Sequence, residues 1–263
     1  MDETTTSAGD DSRFSRSLMA LGEGPMEALA KARVIIFGIG GVGSWAAEAL
    51  VRTGLRHITL VDADCVAYSN INRQAPATVS TVGEPKVEAM RRILLDINPR
   101  AEVDVRQEIY CEETADRFDL AAFDYVIDAI DSLKDKALLI RRATAVKGLK
   151  LFSSMGAALK MDPGKIAVAE FWTVTGCPLG AALRSRFRRS GEFPAGKFLC
   201  VYSPERIPNH PIGQKPEHES IASESHAPMQ FGKVSVNGSL CHITATFGMR
   251  LAGLVIQDIY AKF

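Results

Sequence analysis

Hydrophobic and polar positions follow one another along this chain in two rhythms, and the rhythm changes near residue 155. Ahead of that point, "RVIIFG" (33–38) is an unbroken apolar run closed by glycine, which marks a strand buried on both faces. "SWAAEALVRTG" (44–54) spaces its apolar residues as a helix does and stops at Gly54. "HITLVDAD" (57–64) reads as the next strand, and "EPKVEAMRRILLDIN" (84–98) as a helix ended by Pro99. "AEVDVRQEI" (101–109) alternates like a strand, and "ETADRFD" (113–119) suggests a short helix. "DYVIDAI" (124–130) is a continuous strand, a helix covers 133–147, and "KLFSSMG" (150–156) is a further strand. Between Phe14 and Ala32, Leu18, Leu21, Met26 and Leu29 fit a helical segment broken from Gly22 to Pro25. Strand and helix alternate throughout, which predicts an α/β fold with a doubly wound, mostly parallel sheet.

Beyond residue 155 the spacing is less regular. "KIAVAEFW" (165–172) predicts an added strand, "GAALRSRFRRSG" (180–191) a basic helix and "KFLCVYS" (197–203) another strand. Residues 204–232 are rich in Pro, His, Ser and Glu and predict a long mobile loop. "HITATFGMRLAGLVIQDIYAKF" (242–263) predicts an apolar closing helix packed back on the sheet. The expected organisation is a disordered tail (1–12), a nucleotide-binding core (13–155) and an extension (156–263) that completes the same domain.

Charge narrows the function. Thirty-one basic residues balance 31 acidic ones over 263 residues, which excludes a general nucleic-acid coat but not a local patch. No apolar stretch approaches the length of a membrane span, so no membrane partner is expected. The acidic start "MDETTTSAGDDSR" does not suit a secretory or mitochondrial leader. Five scattered cysteines form no C-x-x-C pair, so a structural zinc site is not expected and a reducing, cytoplasmic setting is.

Candidate chemistry gathers at the strand ends. Gly38, Gly40, Gly41 and Gly43 follow a strand and open a helix, where bare backbone N–H groups can meet phosphate oxygens. Asp62 ends the second strand, placed to accept hydrogen bonds from a ribose. A nicotinamide-dependent dehydrogenase would share both features. The next loop separates the readings. "SNINRQ" supplies Asn70, Asn72, Arg73 and Gln74, and "VGEPKVE" places Lys86 at the start of a helix. A diphosphate is largely satisfied by backbone amides, whereas a triphosphate recruits fixed cations. Asp128 and Asp131 close a strand at the sheet's carboxyl edge, where a carboxylate can hold Mg²⁺ against phosphates. Together these residues describe a nucleoside triphosphate site.

The stretches "GIGGVGSWAAEALVRTG", "VDAD", "NINRQ", "VGEPKVE" and "VIDAIDS" resemble the adenylating enzymes of the ThiF/MoeB type, relatives of ubiquitin-activating enzymes. The resemblance runs from about Arg13 to Met155. It implies a Rossmann-like fold and attack of a carboxylate on the α-phosphate of ATP, with Mg²⁺, giving an acyl-adenylate and pyrophosphate. It also implies that Gly41 contacts phosphate within the Gly38–Gly43 loop, that Asp62 holds the ribose, and that Asn72 and Arg73 grip the phosphates. Lys86 would neutralise charge developing in the transition state and Asp131 would bind Mg²⁺, with Asp64, Asn70 and Ser132 also lining the nucleotide. Arg16, in "SRFSRSLMALGE", matches an arginine finger that reaches the opposite subunit's ATP, which implies a homodimer.

Within that family, the absence of C-x-x-C pairs, the Trp45 segment, "CVYSPE" and "TATFG" resemble the tRNA threonylcarbamoyladenosine dehydratases, the group that includes TcdA/CsdL. The resemblance implies adenylation of the threonyl carboxylate of tRNA threonylcarbamoyladenosine, then ring closure by its ureido group with net loss of water. No protein nucleophile is then needed. Relatives often carry a cysteine aligned near Lys233–Val236, and here the nearest is Cys241, so a sulfur-transfer partner protein is left open. The alternative is adenylation of the C-terminus of a ubiquitin-like or sulfur-carrier protein.

Other candidates have plain readings. Arg184, Arg186, Arg188, Arg189 and Lys197 fit either a tRNA-backbone patch or a solvated helix face. Cys65 and Cys200 are expected to be packing residues, and Trp45 to pack beside the nucleotide. His210, His218, His226 and His242 match no metal-ligand spacing.

Overall fold

The computed structural model describes residues 12–210 and 237–263. Seven strands form one sheet in the order β3-β2-β1-β4-β5-β7-β6. They are β1 (Arg33–Phe37), β2 (His57–Val61), β3 (Glu102–Arg106), β4 (Tyr125–Asp128), β5 (Lys150–Ser154), β6 (Ala167–Glu170) and β7 (Leu199–Tyr202). Six of them run parallel, and β6, at the edge, alone pairs antiparallel, with its neighbour β7. The helices are α1 (Ser15–Leu21), α2 (Glu23–Lys31), α3 (Gly43–Thr53), α4 (Lys86–Ile97), α5 (Leu133–Ala145), α6 (Pro178–Ser190) and α7 (Cys241–Tyr260).

Strand sequences follow their place in the sheet. Val34–Phe37 and Tyr125–Asp128 lie at its centre with helices over both faces, so every one of these positions is buried and the runs are unbroken. β3 lies at an edge, and "EVDVR" accordingly alternates between exposed and half-buried residues. One apolar layer sets α3, α4 and α7 against the sheet, around Leu50, Met90, Phe247 and Leu251. The other sets α5 and α6 against the opposite face, around Leu139, Leu183 and Phe187. Gly248 lets α7 lie directly on α3, because a Cβ there would come within 2.8 Å of the Trp45 Cβ and 2.9 Å of the Ala46 nitrogen. The far end of α7 is tied down by Tyr125, whose hydroxyl donates to Asp258 (2.8 Å) and accepts from Lys262 (3.0 Å).

Three expectations change in detail. The helical segment at Phe14–Ala32 breaks only at Gly22, which takes a φ of 82°. Pro25 falls within the first turn of α2, where the missing N–H has no intrahelical acceptor to lose. "ETADRFD" is too short to propagate an α-helix and gives the 3-10 turn Ala115–Arg117. The tail expected at 1–12 lies outside the described residues except for Ser12, which opens a 3-10 turn. Of the loop expected at 204–232, residues 204–210 are irregular and the remainder lies outside the described residues. Among the described residues no helix is long and apolar enough to cross a membrane.

Candidate functional site

The chain reverses its direction of travel across the sheet between β1 and β4, so a crevice opens at their carboxyl ends. The glycine loop enters that crevice. Gly38 has a φ of 91°, and a Cβ on it would lie 2.7 Å from the carbonyl oxygen of Ala129, just after β4. Only glycine lets the two loops touch. Behind the loop, Ser44 donates through its hydroxyl to the Gly40 carbonyl (2.6 Å) and accepts from the Ala75 amide (3.2 Å). It thereby stitches the glycine loop to the segment that carries Arg73.

Asp62, just beyond β2, accepts the amide of Ile39 within the glycine loop on one oxygen (2.7 Å) and the amide of Asp64 on the other (2.9 Å). Burial raises its carboxyl above the ordinary range, and Lys86 and these amides partly offset that rise. Lys86 is the first residue of α4, an end where the helix dipole disfavours a cation, and its side chain is only 7% exposed. Two carboxylates hold the charge there, Asp64 at 2.7 Å and Asp62 at 3.8 Å.

Arg73 completes the cationic wall. Its guanidinium donates to the Ser69 carbonyl and to the Asn72 side-chain oxygen, each at 2.8 Å. A Cβ on Gly41 would meet the Arg73 Cγ at 3.3 Å and Thr244 at 3.2 Å, so the arginine stem and the start of α7 border the glycine loop. Trp45 donates its indole N–H to the Arg73 carbonyl (3.0 Å), and Asn72 donates to the Ser239 carbonyl (2.9 Å). Trp45 therefore packs beside this cationic wall. Gln74 is buried against Gly40 with its side-chain oxygen unbonded, an orphan that a bound ligand or water can satisfy.

The two acidic candidates after β4 have different environments. Asp128 is completely buried, 2.8 Å from the equally buried Lys136, and it also accepts from Ser153 (2.7 Å) and from the Ile130 amide (3.1 Å). Its oxygens are committed to the fold. Asp131 is exposed, and its carboxylate makes no hydrogen bond or ion pair among the described residues. Ser132 caps α5 and donates to Asp135 (2.7 Å), while Asn70 closes its own turn by accepting the Ala67 amide (3.0 Å).

The structure thus brings together the Gly38–Gly43 loop, Asp62, Asp64, Asn72, Arg73 and Lys86, with Asp131 on the adjoining loop. It does not bring Arg16 to them. Arg16 is exposed on α1, and its neighbour Arg13 reaches the carbonyl of Ile97 (3.5 Å), at the opposite end of α4 from Lys86. Cys65 is exposed beside Asp64, against the packing role expected, because its strand-like segment forms only an isolated bridge with Pro85. Cys200 is buried as expected, and burial pushes its thiol pKa up. Cys241 is an exposed residue at the start of α7. Thr244 and the buried end of Gln74 escaped the sequence reading. Thr244 lies 171 positions from the arginine it touches, so no local pattern announces it. A cavity of about 600 Å³ opens at the sheet's opposite, amino-terminal edge among Arg33, His57, Glu102 and Phe123, and it includes none of the site residues above.

Comparison with known proteins agrees with this geometry. The sequence model of the ThiF family matches residues 14–189. The tRNA threonylcarbamoyladenosine dehydratase of Bacillus subtilis is 42% identical over 179 residues, covering 68% of this chain and 70% of that protein. The Escherichia coli protein of the same name is 33% identical over 259 residues, covering 95% and 94%. A crystal structure of the Escherichia coli enzyme, TcdA, in complex with ATP superposes with a TM-score of 0.79 at 32% identity, covering 95% of this chain and 94% of the other. This chain belongs to the ThiF family.

Proposed function

We propose that this protein is an ATP-dependent tRNA-modifying enzyme that adenylates the threonyl carboxylate of threonylcarbamoyladenosine and closes it into a ring. The observation that carries the reading is a pair of fixed cations at the sheet's carboxyl edge: Arg73, whose stem borders Gly41, and Lys86, held by Asp64 and by the Asp62 that binds the loop amide of Ile39. The relatives named above supply the substrate class, and ATP is the ligand of the superposed TcdA crystal.

A carboxylate and a triphosphate repel each other, so attack on the α-phosphorus needs cations already in place. In this reading Arg73 and Asn72 take phosphate oxygens and the amides of the glycine loop take others. Lys86 exchanges its Asp64 partner for the charge that develops as pyrophosphate leaves. Asp62 accepts from the ribose while holding the loop through Ile39. The carboxylate oxygen bonds to phosphorus and the bond to the β-phosphate breaks. The ureido group then attacks the acyl carbon and AMP departs. The attacking group belongs to the substrate, so the step needs no protein nucleophile.

For Mg²⁺ the donor set fits a single carboxylate shared with substrate phosphates. Asp131 is free, Asp128 is not, and no cluster of three candidate ligands occurs among the described residues. Bound there, the ion would neutralise phosphate charge. Arg16 is assigned to the partner's site in a two-fold homodimer, because the length of α4 separates its segment from the site of its own chain. Residues 13–155 would form the adenylating core and 156–263 would complete the same domain. All five cysteines are unpaired, which suits a reducing, cytoplasmic compartment.

The test is mass spectrometry of nucleosides from tRNA carrying threonylcarbamoyladenosine, incubated with protein, ATP and Mg²⁺. Loss of one water from that nucleoside, with release of AMP and pyrophosphate, is expected. An unchanged nucleoside mass would refute the reading.

A further inference from the structure

The carboxyl-terminal half of α6 and the two segments packed on it hold a surface that the adenylation chemistry does not use. Between Pro178 and Phe198 the chain carries Arg184, Arg186, Arg188, Arg189 and Lys197 but one acid, Glu192. Glu192 is already engaged by Arg141 at 2.6 Å. With 31 charges of each sign overall, the rest of the chain is left with 26 cations and 30 acids, a net charge of −4. None of the five cations makes an ion pair among the described residues. A polyanion that docks on this protein outside its nucleotide crevice meets uncompensated positive charge here.

A solvated helix face accounts for arginines, but not for what lies beside them. Trp172, in the turn after β6, is 38% exposed, and Phe193, in the loop after α6, is 53% exposed. Their ring centroids are 6.1 Å apart. The Arg188 guanidinium lies 6.0 Å from the centroid of the Trp172 ring. Behind it, the buried Phe171 packs edge-on against the indole at 5.0 Å, and the Trp172 amide donates to Glu170 (2.9 Å). The turn after β6 and the loop after α6 thus bring an aromatic pair together, backed by Phe171 and open to solvent, with the unpaired Arg188 over one ring. Phosphates satisfy the cations and the flat face of an unpaired base covers the rings, a combination that single-stranded RNA offers and a duplex or an acidic peptide does not.

We propose that this face docks the RNA substrate, with Arg188, Arg189 and Lys197 on its phosphates and the Trp172–Phe193 pair stacking an unpaired base. The proposal rests on the tRNA reading of the active site. α6 starts at Pro178, and the Cys177 ahead of it lies beside Gly156, just past the carboxyl end of β5. It then runs 13 residues away from that edge. At 1.5 Å per residue α6 is about 20 Å long, so the patch at its far end stands well away from the crevice. It therefore contacts a part of the RNA other than the reacting nucleotide, and its loss weakens binding without altering the chemical step.

The experiment measures equilibrium binding of threonylcarbamoyladenosine-bearing tRNA by the full chain across a salt series, alongside steady-state cyclisation. Arg188→Ala with Arg189→Ala is expected to flatten the slope of log affinity against log salt by about 1.4 to 1.8. Trp172→Ala is expected to weaken tRNA about 5- to 150-fold. It should leave the affinity for a loop-free RNA duplex unchanged and raise KM with kcat intact. Phe193→Ser, at a site with no core contact to lose, should reproduce the Trp172 effect in a protein of unaltered melting temperature. Cyclisation by variants that keep wild-type tRNA affinity and salt slope would overturn the docking surface. A wild-type protein that neither binds nor cyclises this tRNA would instead overturn the functional reading beneath it.

Discussion

Replacing Lys136 by methionine tests whether the end of β4 is held by charge. Lys136 and Asp128 are both fully buried, with 2.8 Å between nitrogen and oxygen, and Lys136 also donates to the Ile130 carbonyl at 3.0 Å. Methionine fills nearly the same volume, so the change removes the charge and two polar contacts and leaves little cavity. Asp128 keeps its bonds from Ser153 and the Ile130 amide but loses its counter-charge at a fully buried position. Leaving a buried charge uncompensated costs about 3–5 kcal/mol. In a chain of this size each kcal/mol lowers the melting temperature by about 2–4 °C, so a fall of about 6–20 °C is expected.

Urea unfolding of three proteins decides the point: wild type, Lys136→Met, and the double variant Asp128→Asn with Lys136→Met. The double variant removes the stranded charge and should regain at least half of the loss. A single variant within about 1 kcal/mol of wild type, or a double variant no more stable than Lys136→Met, would refute the account. The same residues tie down the loop that carries Asp131. Surviving folded Lys136→Met should therefore need more Mg²⁺ for half-maximal turnover.

Arg73→Ala and Lys86→Ala should each lower kcat/KM for AMP release by about 10²- to 10³-fold, the usual cost of one preorganised transition-state donor, and wild-type turnover in either would remove that cation from the mechanism. Asp131→Asn should shift the Mg²⁺ dependence to higher concentration in a titration of pyrophosphate release, while an unaltered curve would point to another ligand. Gly38→Ala combines a φ of 91° with a Cβ 2.7 Å from the Ala129 carbonyl oxygen, and should lower both nucleotide affinity in calorimetry and the melting temperature. The amides of Asp162 and Met161, with Lys165, hold the Glu205 carboxyl down from 4.5 to about 2. A depressed carboxyl stabilises the fold above its unfolded value, so the gap between wild type and Glu205→Gln should be full above pH 4.5 and close towards pH 2. Melts that show the same gap at pH 3 and pH 7 would contradict this.

Much of the fold was legible because burial leaves a periodic trace. Val34–Phe37 is apolar throughout as helices cover both faces of its strand, and Glu102–Arg106 alternates because it lies at an edge. The glycine loop and the acid after β2 were legible as well, since strand, turn and helix follow one another within a short span. What escaped depends on partners distant in sequence. The sequence could not tell whether Asp128 is a ligand or a buried cap, because the answer lies in Lys136 and Ser153, which the fold alone brings to its carboxylate. Cys65 was read as packing because a small apolar residue usually is, whereas its single bridge to Pro85 leaves it at the surface.

The closing helix gives the clearest case of information that a linear reading lacks. Its pattern promised only an apolar element returning to the sheet, and Phe247, Leu251 and Val255 are indeed fully buried. Yet its first turn borders the glycine loop. Thr244 stands against Gly41, and the chain just ahead of the helix accepts a bond from Asn72 at Ser239. Meanwhile Gly248 draws the helix onto Trp45, whose indole holds the Arg73 carbonyl. Electrostatic catalysis is effective to the degree that its charges are placed before the reaction begins, since reorientation is then not charged to the barrier. An arginine on a loop meets that condition only if its backbone is immobilised. In this chain the immobilising contacts come from α3 and from α7, which begins 168 positions after Arg73. The apolar packing of α7 and the proposed grip of Arg73 on phosphate are therefore one energetic unit. A cavity cut at Phe247 or Leu251 should raise the KM for ATP even though neither side chain belongs to the crevice.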